Sequence, residues 1–171
     1  MTNLVSIDTK YLDMAMGSGT INMKNITETK RIESKSEVQT YLSRLHYALS
    51  NGSAKINFQC KRHVDEQRDQ RYTNRYTIGQ LFPDEDEVEV LKRELSRLTV
   101  EEYIETVKDI RFCNQSEMRV FGRKYSGADV YIKIRVELLN TSQDGYDYVF
   151  VMSFHYAEIQ YTDNDFPFMR V

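Results

Sequence analysis

The most regular alternation of apolar and polar residues occurs in "DVYIKIRVELL", residues 129–139. Every second residue is apolar and β-branched, which places this set on one face of a strand: Val130, Ile132, Ile134 and Val136. The residues between them face the other way: Tyr131, Lys133, Arg135 and Glu137. The pattern therefore predicts a strand with one face on an apolar core and the other face open.

Similar segments lie before and after this strand, at "EMRVFGRKY" (117–125) and "DYVFVMSFHYAEIQY" (147–161). The connections are the short "SGA" and the glycine-containing "NTSQDGYD", both rich in turn-forming residues. We therefore expect a three-stranded antiparallel meander. A further alternating segment, "AKINFQCKR" (54–62), predicts a half-buried strand upstream.

Helical periodicity is clearest in "SKSEVQTYLSRLHYALSNG" (34–52), where apolar residues recur at spacings of three, four and seven. Ser34 and Glu37 have the spacing of a capping box, and Gly52 ends the helix. A second helix is predicted at "DEDEVEVLKRELSRL" (84–98), whose carboxylates crowd the N-terminal end that the helix dipole makes positive.

Two further segments are less regular. "TVEEYIETVKD" (99–109) begins with Thr99 and Glu102 at capping-box spacing, which predicts a short helix that buries Tyr103, Ile104 and Val107. "HVDEQRDQRYTNRYT" (63–77) is too polar to pack on both sides, and we expect a loop or a frayed helix there.

The order of these elements indicates the domain organisation and the fold class. Residues 1–33 have weak periodicity and predict a loosely packed N-terminal extension, and residues 34–171 predict a single α+β domain. The expected architecture is a small antiparallel sheet, made of the C-terminal meander plus one or more upstream strands. About three helices pack on one side of it.

Composition narrows the class of protein. The formal net charge of −3 argues against a protein that coats nucleic acid through global charge, but it leaves room for a local basic site. The two cysteines, Cys60 and Cys113, do not make a disulfide framework and predict reduced thiols in a cytoplasmic protein. Cys60 and His63 form only one loose pair of potential ligands, so we predict no metal site. The longest apolar run, "YVFVMSF", is too short to cross a membrane.

The second hairpin of the meander has a predictable register because a one-residue slip would turn its apolar side chains away from the core. We align the core set of the first strand with Phe150, Met152, Phe154 and Tyr156 of the next. This alignment predicts the following cross-strand pairs: Ile132–Phe154, Ile134–Met152, Tyr131–His155, Lys133–Ser153 and Arg135–Val151. The open face then carries a tyrosine, a lysine, an arginine and a histidine within reach of one another.

Such a set suits cleavage of a phosphodiester without a metal. Histidine transfers protons near neutral pH, and lysine and arginine stabilise the phosphorane that forms when a ribose 2′-hydroxyl attacks its own phosphate. Tyrosine orients the hydroxyl or stacks on a base. The alternative is an ordinary solvated strand face, on which lysine, arginine and tyrosine are common. "RYTNRYT" (71–77) likewise fits either a grip on single-stranded RNA or a surface connection.

The segments "LSRLTVEEYIETVKD", "DVYIKIRVELL" and "VFVMSFH" resemble the core of the MqsR-type (motility quorum-sensing regulator) mRNA interferase toxins. "VQTYLSRLHYALSNG" resembles the first helix of that family, and the likeness covers about residues 36–158. The resemblance implies a RelE-like α+β fold and sequence-selective cleavage of mRNA without a metal or other cofactor. It also implies a cognate antitoxin that holds the toxin inactive.

By position, Tyr131 matches a tyrosine that is catalytic in the family, and His155 takes the place of a lysine in the closing strand. Glu105 stands where the family has a lysine, with Lys108 one helical turn further on. The expected glutamine ahead of the tyrosine strand is not recognisable. Three basic residues are the nearest polar candidates for its position: Arg119, Arg123 and Lys124.

We therefore predict a cytoplasmic, metal-independent endoribonuclease of a bacterial toxin–antitoxin system. His155 is the expected general acid or base, Tyr131 orients the substrate and Lys133 contacts phosphate. The expected RNA contacts are Arg135, Arg119, Arg123 and Lys108. The partners are mRNA and the antitoxin, with no membrane, metal or cofactor.

Two alternatives stay open. One is a catalytically inactive RNA- or protein-binding module on the same fold, which Glu105 favours because the family has a lysine at that position. The other is a regulator from a phage or mobile element that inhibits a host protein through the acidic helix at 84–98.

Overall fold

The computed structural model describes residues 27–52, 54–137 and 146–169 of the chain. Within them the regular elements, in chain order, are β1 (Glu28–Arg31), α1 (Lys35–Ser50), β2 (Ala54–Phe58), α2 (Asn74–Leu81), α3 (Glu87–Leu95), β3 (Tyr103–Asp109), β4 (Met118–Tyr125), β5 (Ala128–Glu137) and β6 (Asp147–Tyr156). Short 3₁₀ segments lie at His63–Gln67, Gln70–Tyr72, Val100–Glu102 and Asp163–Asp165. These elements confirm the predicted α+β class.

The six strands form one mixed sheet in the order β1-β3-β4-β5-β6-β2. The predicted antiparallel meander β4–β5–β6 is confirmed, and it lies between β3 and β2 in the sheet. β1 pairs antiparallel with β3 at one edge, and β2 pairs parallel with β6 at the other. The sheet is thus larger than the expected small antiparallel one, since β1 and β3 add two strands to it, and it is mixed because β2 is parallel to β6.

One face of the sheet is covered by the helices and holds the main core. α1, α2 and α3 each contribute buried apolar side chains that meet those of β4, β5 and β6 in one cluster. In α1 the predicted face is confirmed, with Val38 and Leu45 fully buried, and the capping box of Ser34 and Glu37 is present. We call this side the helix face and the opposite side the open face.

The hairpin register is confirmed for one half of β5 and wrong for the other. Ile132 pairs with Phe154, and two further predicted pairs form on the open face: Tyr131–His155 and Lys133–Ser153. A bulge then shifts the register, so Ile134 lies opposite Val151 and Arg135 opposite Phe150. Val151 and Met152 are both apolar, so alternation alone does not reveal which residue is the extra one.

The helix predicted at 99–109 is wrong beyond its first turn. Thr99 and Glu102 do form the capping box, but they close only the 3₁₀ turn Val100–Glu102. The chain then extends as β3, where the β-branched Ile104, Thr106 and Val107 suit a strand that lies between β1 and β4. A bulge in β3 keeps Tyr103 on the helix face, where it is fully buried.

Polar side chains of α2 form hydrogen bonds with the backbone of β6 where β6 extends beyond the end of β2. Asn74 is fully buried; its amide nitrogen donates to the carbonyls of Gln59 (2.7 Å) and Met152 (2.9 Å), and its oxygen accepts from the Phe154 amide (2.9 Å). The Thr77 hydroxyl accepts from the Tyr156 amide (2.9 Å). The segment predicted as a loop or frayed helix therefore holds an ordered helix that satisfies backbone groups of a strand.

The segments near the two chain termini pack differently against the sheet. Of the predicted extension at 1–33, residues 1–26 lie outside the described residues, and the part that follows forms the edge strand β1. The "NTSQDGYD" turn also falls mostly outside them. The C-terminal tail lies on the surface, and its half-buried Phe168 stacks on Tyr103 with ring centroids 5.8 Å apart. None of the helices in 27–52, 54–137 and 146–169 has the length and apolarity required to span a membrane.

Candidate functional site

The open face carries a stacked pair of rings at the centre of the β5–β6 hairpin. Tyr131 and His155 are direct cross-strand partners, and their ring centroids lie 5.4 Å apart with 24° between the planes. His155 is only 6% exposed. The predicted pair is therefore in contact, and each ring restricts the orientation of the other.

The hydrogen bond of His155 determines its tautomer. Its Nδ1 lies 2.9 Å from the carbonyl oxygen of Tyr156. A carbonyl only accepts, so Nδ1 carries the hydrogen and the neutral ring has its lone pair on Nε2. Burial lowers the pKa of His155, and the charges of Arg62 and Arg68 lower it further. The ring is thus kept neutral at pH 7, in the form that accepts a proton.

Arg62 lies beside this pair and is incompletely paired. Its Nη1 donates to the Ser153 hydroxyl (3.2 Å), while its Nη2 is 3.6 Å from Asp65 Oδ1, which is an ion pair but too long for a hydrogen bond. Within the described residues its buried Nε and Nη2 have no hydrogen-bond partner. Burial lowers the pKa of Arg62. Buried donors without acceptors are rare, and a planar guanidinium in this state suits a carboxylate or phosphate.

A third ring, Tyr161, covers the site from the C-terminal tail. A Cβ at Gly122, opposite Tyr131, would lie 2.6 Å from the Tyr161 ring, so glycine is what allows the tail to approach the sheet. The Tyr161 hydroxyl is buried and has no hydrogen-bond partner among the described residues. Burial raises the pKa of both Tyr131 and Tyr161, so both hydroxyls keep their protons and remain donors.

Lys133 and Arg135 share the open face but are engaged by other side chains. The Lys133 ammonium is buried and lies 2.7 Å from a carboxylate oxygen of Glu28 in β1. Arg135 lies 2.7 Å from the Glu137 carboxylate, donates to Gln115 (2.9 Å) and covers the Phe150 ring. Their positive charges are therefore partly neutralised within the protein.

The other predicted RNA contacts do not join this site. Arg119 and Arg123 alternate with open-face residues along β4 and project to the helix face. Arg119 makes two bonds to the buried Glu33, of 3.0 and 2.7 Å, and Arg123 makes two to Glu102, of 2.5 and 2.8 Å. Lys108 bonds to the carbonyl oxygens of Cys113 and Gln115 in the β3–β4 connection. The structure thus places these cations in networks that hold the fold.

Glu105, which stands where the resemblance implies a lysine, lies in β3 and forms a 2.8 Å salt bridge with Lys30 of β1. Its charge is one of the influences that raise the pKa of Tyr131, so the carboxylate is close to the candidate site. β1 and β3 therefore bring two carboxylates, Glu28 and Glu105, towards a face on which the resemblance implies cations.

Sequence patterns did not single out Arg62 or Tyr161. Arg62 and Tyr161 are the last residues of the alternating segments 54–62 and 147–161, but each lies beyond the end of its strand, so the alternation does not place its side chain. Only the parallel pairing of β2 with β6 brings Arg62 to His155.

No group of three or more potential metal ligands of the His, Cys, Asp and Glu types occurs among the described residues. No protein-family model, curated protein or solved structure matches the chain.

Proposed function

We propose that the chain is a metal-independent endoribonuclease whose active site is the Tyr131–His155–Arg62 cluster on the open face. One observation carries the proposal: a neutral histidine with its lone pair on Nε2 lies beside Arg62, whose buried Nε and Nη2 have no hydrogen-bond partner among the described residues and whose ion pair with Asp65 is long, at 3.6 Å. A proton acceptor next to an anion-binding group is the pair of functions that transesterification of RNA needs.

The reaction follows from these two groups. His155 Nε2 takes the proton of a ribose 2′-hydroxyl, and the 2′-oxygen forms a bond to the adjacent phosphorus. Arg62 stabilises the charge that develops on the non-bridging oxygens. The bond from phosphorus to the 5′-oxygen then breaks, and that oxygen takes a proton from water. The products are a 2′,3′-cyclic phosphate and a 5′-hydroxyl.

Tyr131 supports the same proposal in two ways. Its ring stacks on His155 and fixes the imidazole, and its protonated hydroxyl is available as a donor. By resemblance it also matches the catalytic tyrosine of the MqsR-type interferases. Under this proposal the substrate is mRNA and an antitoxin is a further partner.

A second candidate function is binding of RNA or protein without cleavage on the same face. The salt bridges Lys133–Glu28 and Lys30–Glu105 favour its protein-binding form, because they neutralise cations that would otherwise attract the RNA backbone. The two candidates differ in what they require of His155, which is essential for cleavage and dispensable for binding.

The test is cleavage of a long unstructured RNA in the presence of EDTA. We expect the wild-type protein to cut it and to leave 2′,3′-cyclic phosphate ends, and we expect His155→Gln and Arg62→Met to abolish cutting. His63→Gln and Arg44→Met are matched controls, since His63 has a 92% exposed side chain and Arg44 is exposed on α1. Intact RNA with the wild-type protein, or equal cutting by His155→Gln, would contradict the proposal.

A further inference from the structure

The outer surface of α2 contains a cleft that the proposed active site does not use. It has a volume of about 480 Å³ and is lined by residues from the 3₁₀ turn before α2 and from α2 itself: Gln70, Thr73, Arg75, Tyr76, Gly79 and Gln80. This volume lies within the range of about 300–1,000 Å³ that is usual for ligand sites. The cleft is large enough for one nucleotide.

The lining residues have the chemistry that a nucleotide requires. Arg75 is exposed and makes no salt bridge or hydrogen bond with any described residue, so its charge is available to a phosphate. Tyr76 is half-buried beside it and offers a ring for stacking. The amides of Gln70 and Gln80 both donate and accept, as base edges require.

Gly79 has no side chain and leaves open space at the base of the cleft. A Cβ placed there would meet nothing within 4 Å, so the space above the backbone is open. A flat base can therefore approach the helix backbone at this position. A larger side chain at the same position would fill that space, and this offers a way to block the cleft without removing a charge.

The cleft adjoins the proposed active site through Arg68 and through the β6 edge. Arg68 is one of the charges that lower the pKa of His155, and its guanidinium donates to the carbonyl of Tyr72 (3.4 Å), next to the cleft. The Thr77 bond to the Tyr156 amide places α2 directly after His155 along β6. A single strand bound at His155 would therefore have to pass the β6 edge to reach α2.

We propose that the α2 cleft is a binding subsite for one nucleotide of single-stranded RNA that flanks the cleaved bond. Tyr76 stacks on the base, Arg75 contacts the phosphate and the two glutamines contact the base edge. The choice of RNA as the ligand rests on the proposed function, but the subsite is defined by its own residues. It assigns a role to the "RYTNRYT" segment, which takes no part in the cleavage chemistry.

The test is the binding of a fluorescein-labelled oligoribonucleotide of roughly 12 nucleotides, fully 2′-O-methylated so that it cannot be cut, measured by anisotropy across a salt series. We expect Tyr76→Leu to bind about 5- to 100-fold more weakly, since stacking of one base is lost. Tyr76→Phe retains the ring and should bind like the wild type. Arg75→Ala should reduce the salt slope by about 0.7, the value for one phosphate contact on a single strand.

Two further variants complete the design. Gly79→Leu should block the cleft and weaken binding as Tyr76→Leu does, while Arg44→Ala, an exposed arginine of α1, should have no effect. Wild-type binding by both Tyr76→Leu and Arg75→Ala would overturn the inference, as would absence of RNA binding by the wild type. Binding that depends on Tyr76 in a protein that cuts no RNA would refute the nuclease and retain the subsite.

Discussion

Two arginines with almost equal burial show how the two faces of the sheet differ. The side chain of Arg119, on the helix face, is 17% exposed, and that of Arg62, on the open face, is 16% exposed. Arg119 makes two short bonds to Glu33. Arg62 has one bond to Ser153, a 3.6 Å ion pair with Asp65, and two buried nitrogens without a hydrogen-bond partner among the described residues. The ion pair outweighs burial and raises the pKa of Arg119, while burial dominates and lowers the pKa of Arg62.

The comparison shows that the burial of a charged side chain does not by itself indicate whether it stabilises the fold or binds a ligand. A buried guanidinium whose donors are matched by a carboxylate holds elements together, and its removal leaves the partner charge uncompensated. A buried guanidinium whose donors are unmatched contributes little to the fold and offers those donors to a ligand. Of these two arginines, Arg119 on the helix face therefore contributes to stability, and Arg62 on the open face suits chemistry.

The largest effect is expected from breaking the matched pair. Glu33 is 4% exposed and accepts from Arg119, Arg31 and Thr106. Glu33→Gln removes its charge and leaves the Arg119 guanidinium buried without a counter-ion, which should lower the free energy of unfolding by about 3–5 kcal/mol. Urea denaturation measures this change.

The matched control is Glu89→Gln. The Glu89 side chain is 71% exposed and pairs with Lys92 on the surface of α3, so its loss should change the free energy of unfolding by less than about 1 kcal/mol. Equal stability of Glu33→Gln and the wild type would show that the Arg119–Glu33 pair does not stabilise the fold.

A smaller effect on the fold, with a larger one on ligand binding, is expected at Arg62. Arg62→Met should change the free energy of unfolding by less than Glu33→Gln does, because the lost charge was poorly compensated. Inorganic phosphate at 100 times its dissociation constant should stabilise the wild type by about 2.7 kcal/mol, and it should not stabilise the variant. Thermal unfolding with and without phosphate measures both. A variant that phosphate stabilises as much as the wild type would remove Arg62 from the anion site.

The smallest effect is a pKa change at His155. Burial and two arginines keep its pKa below the ordinary value of about 6.5. Since the folded-state pKa lies below the unfolded one, the stability that His155 contributes is present above about pH 6.5 and is lost as pH falls through the folded value. Arg62→Met removes one cation and should raise the pKa of His155, although burial still keeps it below 6.5.

Titration of the imidazole protons by NMR measures this pKa, with His155→Gln used to assign the signal. The wild-type cleavage rate should show its acid limb at the same value, since only neutral His155 accepts a proton. A His155 pKa at or above 6.5 would contradict the described environment.

The sequence predicted the helix face better than the open face, for physical reasons. Alternation in β5 and periodicity in α1 reflect burial on one side, and the pairs Tyr131–His155 and Ile132–Phe154 followed from them. Where neighbouring residues are both apolar, as Val151 and Met152 are, alternation does not locate a bulge, and the pairing of Ile134 was wrong.

The chemistry of the open face needed the fold. Arg62 reaches His155 because β2 pairs parallel with β6, a pairing between segments roughly 90 residues apart that no local pattern encodes. Asn74 and Thr77 are polar and fully buried, whereas polar residues usually indicate exposed positions. The α2 segment was therefore predicted as a loop or frayed helix. Arg119 and Arg123 were expected at the site because they are the nearest polar residues to the position of the family's glutamine. Their position in the sequence does not show that their carboxylate partners, Glu33 and Glu102, lie on the helix face.

One measurement compares the two arginines directly. Arg62→Met and Arg119→Met would be assayed side by side for EDTA-resistant RNA cleavage, with each rate divided by the folded fraction from denaturation under the same conditions. We predict that Arg62→Met folds and does not cleave, whereas Arg119→Met is destabilised but its folded molecules cleave at the wild-type rate. Cleavage by folded Arg62→Met, or a folded Arg119→Met that is inactive, would contradict the placement of the active site on the open face.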